Sequence, residues 1–304
     1  MLLAAGAAMA PAGPLTRAWP WPTLRLWLLV AALACAYLLP GTLGHDPWKQ
    51  DETYTFGIIQ HMLETGDLIV PTSAGQPFVE KPPLYAWVAS TLAWLLGDVM
   101  PLHDAARLAS ALFAGLALAF TARLARAATH AASWADPRVL GTVALCAGTL
   151  IVVKHAHDMI TDVALLAGTA IGFCGLLECV QAAAQPPARG RRSAWLLGVG
   201  VGLALLAKGV FIPLVFGITL AGACVLFPAC RSRAFLRTIG TAALVFLPFA
   251  TLWPTLFYLR AEDLFLVWFW DNNIGRFLGF SVSVLGAEND DPLYVWHTLL
   301  TIGF

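Results

Sequence analysis

The sequence predicts an all-α integral membrane protein, a bundle of several transmembrane helices, and three observations carry that prediction. Apolar residues make up 59% of the 304 and charged residues only 12%, where a soluble domain carries about 25% charged residues. Mean hydropathy is +0.74. Apolar runs recur along the chain at lengths near the ~20 residues that cross a hydrocarbon core as a helix. The formal net charge is zero, so the informative quantity is where the charges fall.

The first run, residues 24–40, follows an Ala/Pro-rich start containing Arg17 and Arg25. Its Ala32-Leu33-Ala34-Cys35 faintly resembles a lipoprotein cleavage site, but further apolar runs follow, which favours an uncleaved anchor. A polar stretch, 41–83, comes next, and Tyr54, Ile58, Ile59, Met62 and Leu63 recur in it at helical spacing. The remaining runs are 84–97, 105–124, 139–153, 163–183, 194–207, 210–227 and 239–258; a second polar stretch covers 260–292, and a last run begins at Leu293. That run stops at Phe304, about half a membrane thickness in, so the chain reads as the N-terminal part of a longer protein. The six cysteines lie in or beside apolar runs without metal-like spacing and read as small apolar residues.

The run 84–97 is short and aromatic-rich, and the positive-inside rule decides its topology. If it does not cross, one face collects Arg17, Arg25, Arg123, Arg126, Arg138, Arg189, Arg191, Arg192, Arg231, Arg233 and Arg237 against only Asp136 and Glu178, or 11 − 2 = +9. The other face then carries 7 − 16 = −9. If the run crossed, every later arginine cluster would move outside. The expected arrangement is therefore a single membrane domain over 1–304, its N-terminus cytoplasmic, with external loops at about 41–104 and 259–292.

On this topology the outer ends of the helices gather polar residues: Asp51 and Glu52, Glu80 and Lys81 ahead of Pro82-Pro83, the cluster Lys154, His155, His157, Asp158 and Asp162, then Lys208, Asp271 and Arg276. Ionisable groups at membrane depth are costly and usually face a cavity. A carboxylate there can serve as general base on a hydroxyl or amine, and lysine or arginine can hold a phosphate leaving group. Each also has a plainer reading. Asp51-Glu52 suits a helix N-terminus, the basic residues could snorkel to headgroups, and His155 and His157, two apart, do not share a helix face. The twelve tryptophans fit an interfacial belt.

Motifs in a fixed order sharpen this. Asp51-Glu52-Thr53, then His61-Met62-Leu63-Glu64-Thr65-Gly66-Asp67 with Val70-Pro71, then Phe78-Val79-Glu80-Lys81-Pro82-Pro83-Leu84-Tyr85 resemble the external loop of the lipid A aminoarabinose transferases. Ala106-Arg107-Leu108, Thr161-Asp162, Ala207-Lys208-Gly209 and Asn273-Ile274-Gly275-Arg276-Phe277 extend the resemblance over most of the chain from residue 45 onward. With the protein O-mannosyltransferases, those enzymes form the GT-C polyprenyl-phosphate-sugar glycosyltransferases. The resemblance implies a GT-C helix bundle with juxtamembrane helices in the first external loop, in a bacterial inner membrane, facing the periplasm. It implies a polyprenyl-phosphate sugar donor and a lipid, glycan or protein acceptor; nucleic acid is not an expected partner. Asp51 matches the catalytic base and Glu52 its acidic neighbour. Lys81, Lys208 and Arg276 match donor-phosphate positions, and Glu80, Tyr85, Asp162 and Asp271 match residues lining the cavity. No cofactor is required by it, though a divalent metal is compatible. Tyr54 replaces a common arginine, Asn272 a frequent histidine and Asp271 a frequent glutamate, so the resemblance alone does not carry over a shared metal site or the aminoarabinose donor. A transporter or a non-catalytic assembly protein are the rival classes. A transporter predicts inverted repeats or helices broken at the midplane, and the sequence has neither.

Overall fold

Helices account for nearly all the structure, and their lengths follow the apolar runs. The computed structural model describes residues 23–184 and 190–275. Eleven α-helices follow in order among the described residues: α1 (Thr23–Leu38), α2 (Lys49–Thr65), α3 (Leu84–Leu96), α4 (Leu102–Thr129), α5 (Pro137–Gly148), α6 (Leu150–His155), α7 (Thr161–Ala184), α8 (Gly190–Lys208), α9 (Phe211–Leu226), α10 (Arg233–Arg260) and α11 (Glu262–Leu266). A π-helical segment, Val267–Gly275, continues α11. α4, α7 and α10 are each long and apolar enough to cross a membrane. α3 has 13 residues, about 20 Å at 1.5 Å per residue, short of the ~30 Å hydrocarbon thickness.

α7, α8 and α10 meet through small residues. A Cβ on Gly168 of α7 would lie 2.7 Å from Ala204 N of α8, and one on Gly200 of α8 would strike the backbone of Gly172. On the opposite side of α8, Gly198 faces Ala242 O and Val245 of α10, and Gly202 faces the Phe249 ring. α8 is thus seated between α7 and α10 at backbone contact, the packing that membrane helices use where no hydrophobic force separates protein from lipid.

Two features depart from the pattern of runs. The single apolar run 139–153 is split, because Thr149 is extended (ψ 127) between α5 and α6. The polar stretch 41–83 also contains a short hairpin, β1 (Thr72–Ser73) antiparallel to β2 (Gln76–Pro77). Ala74 and Gly75 both take positive φ between the strands, the geometry of tight hairpin turns.

The segment 41–83 is built onto one end of the helix bundle. α2 is amphipathic and buries Glu52, Thr55, Ile58, Ile59 and Met62. Gly66 ends it in the left-handed conformation (φ 72), its N–H reaching Met62 O at 3.0 Å, a glycine C-cap. Asp67 then accepts from Ile69 N at 2.9 Å, turning the chain. Two indoles pin the next carbonyls: Trp87 Nε1 donates to Leu68 O (2.8 Å) and Trp253 Nε1 to Ile69 O (2.9 Å). Tyr85, Met159, Trp253, Phe257 and Trp268 complete the apolar core beneath α2.

Candidate active site

Asp51 and Glu52 are sequence neighbours with opposite fates. On a helix consecutive residues point about 100° apart. Glu52 shares its face with Thr55, Ile59 and Met62 and is 2% exposed, whereas the Asp51 side chain is 55% exposed. Glu52 accepts from Arg107 Nε (3.0 Å), Met159 N (2.7 Å) and Trp48 N (3.1 Å). Arg107, fully buried near the start of α4, also donates through Nη1 to Asp104 Oδ1, Thr42 O and His45 O at 3.1–3.2 Å. Asp104 in turn accepts from Gly44 N. This buried cluster fastens residues 42–52, α4 and the turn at 158–159 together. Glu52, expected to act beside Asp51, is enclosed in that network and anchors the helix that carries Asp51.

Asp51 belongs to a second, more open chain of contacts. The Tyr54 hydroxyl donates to Asp51 Oδ1 (2.6 Å) and accepts from Lys81 Nζ (2.5 Å). Lys81 Nζ lies 3.8 Å from Asp51 Oδ1 and is only 14% exposed. Phe78 stacks on the Tyr54 ring at 4.3 Å. Burial first, then the bond to Asp51 and the charges of Asp51, Glu80 and Asp162, push the Tyr54 phenol far above its usual range, so it stays a proton donor. From the sequence Tyr54 stood out as a member of the helical pattern of α2 and as a departure from an arginine; here it links the carboxylate to the lysine.

Lys81 also borders a cavity of about 240 Å³ with Glu80, Leu165, Lys208, Gly209 and Asn272 among its lining. Lys208, the last residue of α8, bonds Asp162 Oδ1 at 2.5 Å, and Asp162 reaches a neighbouring, largely apolar cavity between α1, α4, α6 and α7. Gly209 (φ +88) makes the turn after α8, and a Cβ there would run into Asn273 Oδ1, which accepts from Val210 N at 3.0 Å. Asn272 is 9% exposed; its Nδ2 donates to Val79 O (3.3 Å), and its Oδ1 is without a partner among the described residues.

The nine residues expected at the site therefore divide. Glu80, Lys81 and Lys208 share one cavity, with Asp51 and Asp162 each in contact with one of its lysines. Tyr85 is fully buried, its hydroxyl 2.6 Å from Ser110 Oγ, and lines a small recess under Tyr54 and Lys81. Asp271 is exposed on the π-helical segment and is absent from the lining of the Lys81–Lys208 cavity. Arg276 lies outside the described residues. At the turn between α6 and α7, His155 Nδ1 is 3.5 Å from Asp158 Oδ2, and His157 contacts Tyr37 O and Val153 O. Among the described residues no three His, Cys, Asp or Glu side chains converge as a metal-ligand group.

The family model described as Dolichyl-phosphate-mannose-protein mannosyltransferase matches residues 23–265. The chain belongs to that family. This family member is 28% identical over 295 residues to "Undecaprenyl phosphate-alpha-4-amino-4-deoxy-L-arabinose arabinosyl transferase 1" of Pseudomonas fluorescens, with 95% of this chain and 49% of that protein covered. It is 27% identical over 283 residues to the transferase of the same description, without the numeral, from Edwardsiella ictaluri, covering 91% and 47%. The chain spans about half the length of the curated relatives it matches. Its fold is shared with ArnT from Cupriavidus metallidurans, in the apo state (TM-score 0.61, 21% identity, 82% of this chain and 45% of that one) and bound to undecaprenyl phosphate (TM-score 0.60, 21% identity, 84% and 45%). The multi-spanning helical GT-C architecture expected from the motifs agrees with these matches.

Proposed function

We propose that this chain is the membrane domain of a glycosyltransferase that moves a sugar from a polyprenyl-phosphate donor to an acceptor at the periplasmic face of a bacterial inner membrane. The whole of 1–304 is assigned to that domain. The observation that carries the reading is the Asp51–Tyr54–Lys81 chain beside the cavity shared by Lys81 and Lys208. The names of the relatives supply the donor class: undecaprenyl phosphate linked to a sugar.

In the proposed step the acceptor hydroxyl or amine attacks the anomeric carbon, and the bond from that carbon to the phosphate oxygen breaks with inversion. The acceptor proton passes to Asp51, whose exposed carboxylate is open to it. Polyprenyl phosphate departs with the bonding electron pair, its charge met by Lys81 and Lys208, and Arg276 is assigned to the same phosphate from its motif. Glu80, Asp162 and Tyr85 shape the cavity. Glu52 is reassigned as the anchor of Asp51, and Asp271, expected in the cavity lining, is left outside the Lys81–Lys208 cavity.

The test is release of polyprenyl phosphate from synthetic donors by membranes containing the full-length protein, with Asp51→Asn as control. Transfer lost in Asp51→Asn while donor binding persists is the expected result. Full turnover in that variant refutes the assignment of the base. No release from any donor by folded protein returns the weight to a transporter or assembly role.

A further inference from the structure

At the end of the bundle opposite the candidate active site, α4, α7 and α8 enclose a second polar cavity. Its volume is about 540 Å³, and its lining includes Arg123, Arg126, His130, Trp134, Glu178 and Arg192. This is within the size range of ligand pockets. The charges in it do not cancel. Glu178 is occupied by Arg123 in a two-point pair (2.8 and 3.0 Å) and by Ser193 Oγ at 3.1 Å. Arg126 spends Nε and Nη2 on the neutral carbonyls of Ala131 and Ala132 and stacks over the Trp134 ring at 4.6 Å. Arg192 makes no hydrogen bond or ion pair among the described residues. Three arginines therefore face one carboxylate, and two of the three positive charges have no counter-charge.

We propose that this cavity is a binding site for the phosphate of an anionic phospholipid headgroup in the inner leaflet. Position selects a lipid over a free anion. The cavity lies at the ends of the membrane-crossing helices α4 and α7, on the face the arginine distribution makes cytoplasmic. An indole beside arginines is the usual furniture of headgroup depth, and basic pockets between helices on that side take anionic headgroups. Arg126 is held rigid by its carbonyls and by Trp134, so it is pre-oriented, and Arg192 closes on the phosphate from α8. Arginine's planar fork suits phosphate oxygens. The same three helices carry Arg107, Asp162 and Lys208 at their other ends, so a lipid held here would brace the scaffold of the outer site. The inference does not depend on the transfer reaction.

The experiment uses the full-length protein in mild detergent, with phosphatidylglycerol, cardiolipin, phosphatidylcholine or inorganic phosphate added. Native mass spectrometry counts retained lipid, and thermal unfolding reads stabilisation. The expected result is selective retention of phosphatidylglycerol or cardiolipin, weakened about fivefold by Arg192→Gln and further by adding Arg126→Gln, at ~1 kcal/mol per basic contact. Arg233→Gln is the control, since Arg233 is exposed at the start of α10 and outside the cavity. Equal weakening by Arg233→Gln would reduce the effect to diffuse surface charge and overturn the site. A stabilisation by inorganic phosphate equal to that by phosphatidylglycerol would overturn the lipid assignment. Arg192 is exposed and unpartnered among the described residues, so its single variant decides the matter even if Arg126→Gln disturbs folding.

Discussion

Replacing Arg107 by methionine tests whether the buried cluster, rather than the loop itself, sets the position of Asp51. The perturbation keeps most of the side-chain volume but removes four contacts: those to Glu52, Asp104, Thr42 O and His45 O. It leaves two carboxylates, 2% and 6% exposed, without their cation. Breaking a buried pair by removing one partner costs ~3–5 kcal/mol, mostly for the charge left behind. Arg107→Met should therefore lose about that much stability. Glu52→Gln alone removes the charge but keeps an acceptor for Met159 N. In Arg107→Met/Glu52→Gln the stranded Glu52 charge is gone, and the double variant should be more stable than the sum of the singles by ~1–3 kcal/mol, as coupled neighbours are. Unfolding of the full-length protein by SDS in mixed micelles gives the cycle, and transfer activity is read on the surviving folded fraction. A loss below ~1 kcal/mol for Arg107→Met, or strict additivity, would refute the reasoning. Unimpaired activity in folded Arg107→Met would show that Asp51 is positioned without this anchor.

Three further outcomes follow from single contacts. Tyr54→Phe removes the hydroxyl between Asp51 and Lys81; with charge-assisted bonds worth ~1.5–3 kcal/mol, kcat should fall about 10- to 100-fold with little change in unfolding, and an unchanged kcat would exclude Tyr54 from the chemistry. Gly209→Ala forces a side chain into φ +88 and against Asn273 Oδ1, so the unfolding cycle should show a loss of ~1–3 kcal/mol; a neutral substitution would refute the required turn. Burial, then the charge of Glu52, raises the Asp158 carboxyl above 3.8 in the folded state, so its favourable contribution is complete below 3.8 and is lost as pH rises through the raised value. Asp158→Asn should therefore stabilise the protein near neutral pH, with the gain shrinking in acid; a gain that does not change with pH would contradict the sign.

What the sequence disclosed was whatever repeats. The spacing of Ile58, Ile59 and Met62 was enough to place α2 as an amphipathic helix, and the arginine distribution was enough to argue for a short α3 that stays on one side. Glu52 could have been separated from Asp51 on the same evidence, because 52, 55, 59 and 62 form one helical stripe; adjacency in the chain obscured it. Arg107 was visible only as part of a motif, since a charge at the outer end of a membrane helix normally reads as snorkelling, and its burial depends on partners 55 and 65 residues away. The hairpin at 72–77 was illegible because only one of its two positive-φ residues is glycine; Ala74 takes φ 51. The glycine seams of α7 and α8 show in the sequence as Gly168/Gly172 and Gly198/Gly202 at i, i+4 spacing, but that spacing does not name the helix each seam packs against. Tyr54 showed as part of the helical pattern of α2 and as a departure from the family, but neither signal pointed to a link between Asp51 and Lys81.

Formal charge around the outer cavity constrains how the proposed reaction can run. Asp51, Glu80 and Asp162 oppose Lys81 and Lys208, three negative charges against two positive. A polyprenyl phosphate is anionic and gains nothing from the net field of this set, so binding must proceed by exchange of partners. The phosphate has to draw Lys81 from the Tyr54 hydroxyl and Lys208 from Asp162, contacts that are local and partly exposed. That exchange has a chemical consequence. With Lys81 in place, Asp51 is held by Tyr54 and sits 3.8 Å from the Lys81 ammonium. Once Lys81 turns to the donor phosphate, its ammonium leaves both the Tyr54 hydroxyl and Asp51. In the proposed reaction, seating the donor and freeing the Asp51 carboxylate from the ammonium are one event.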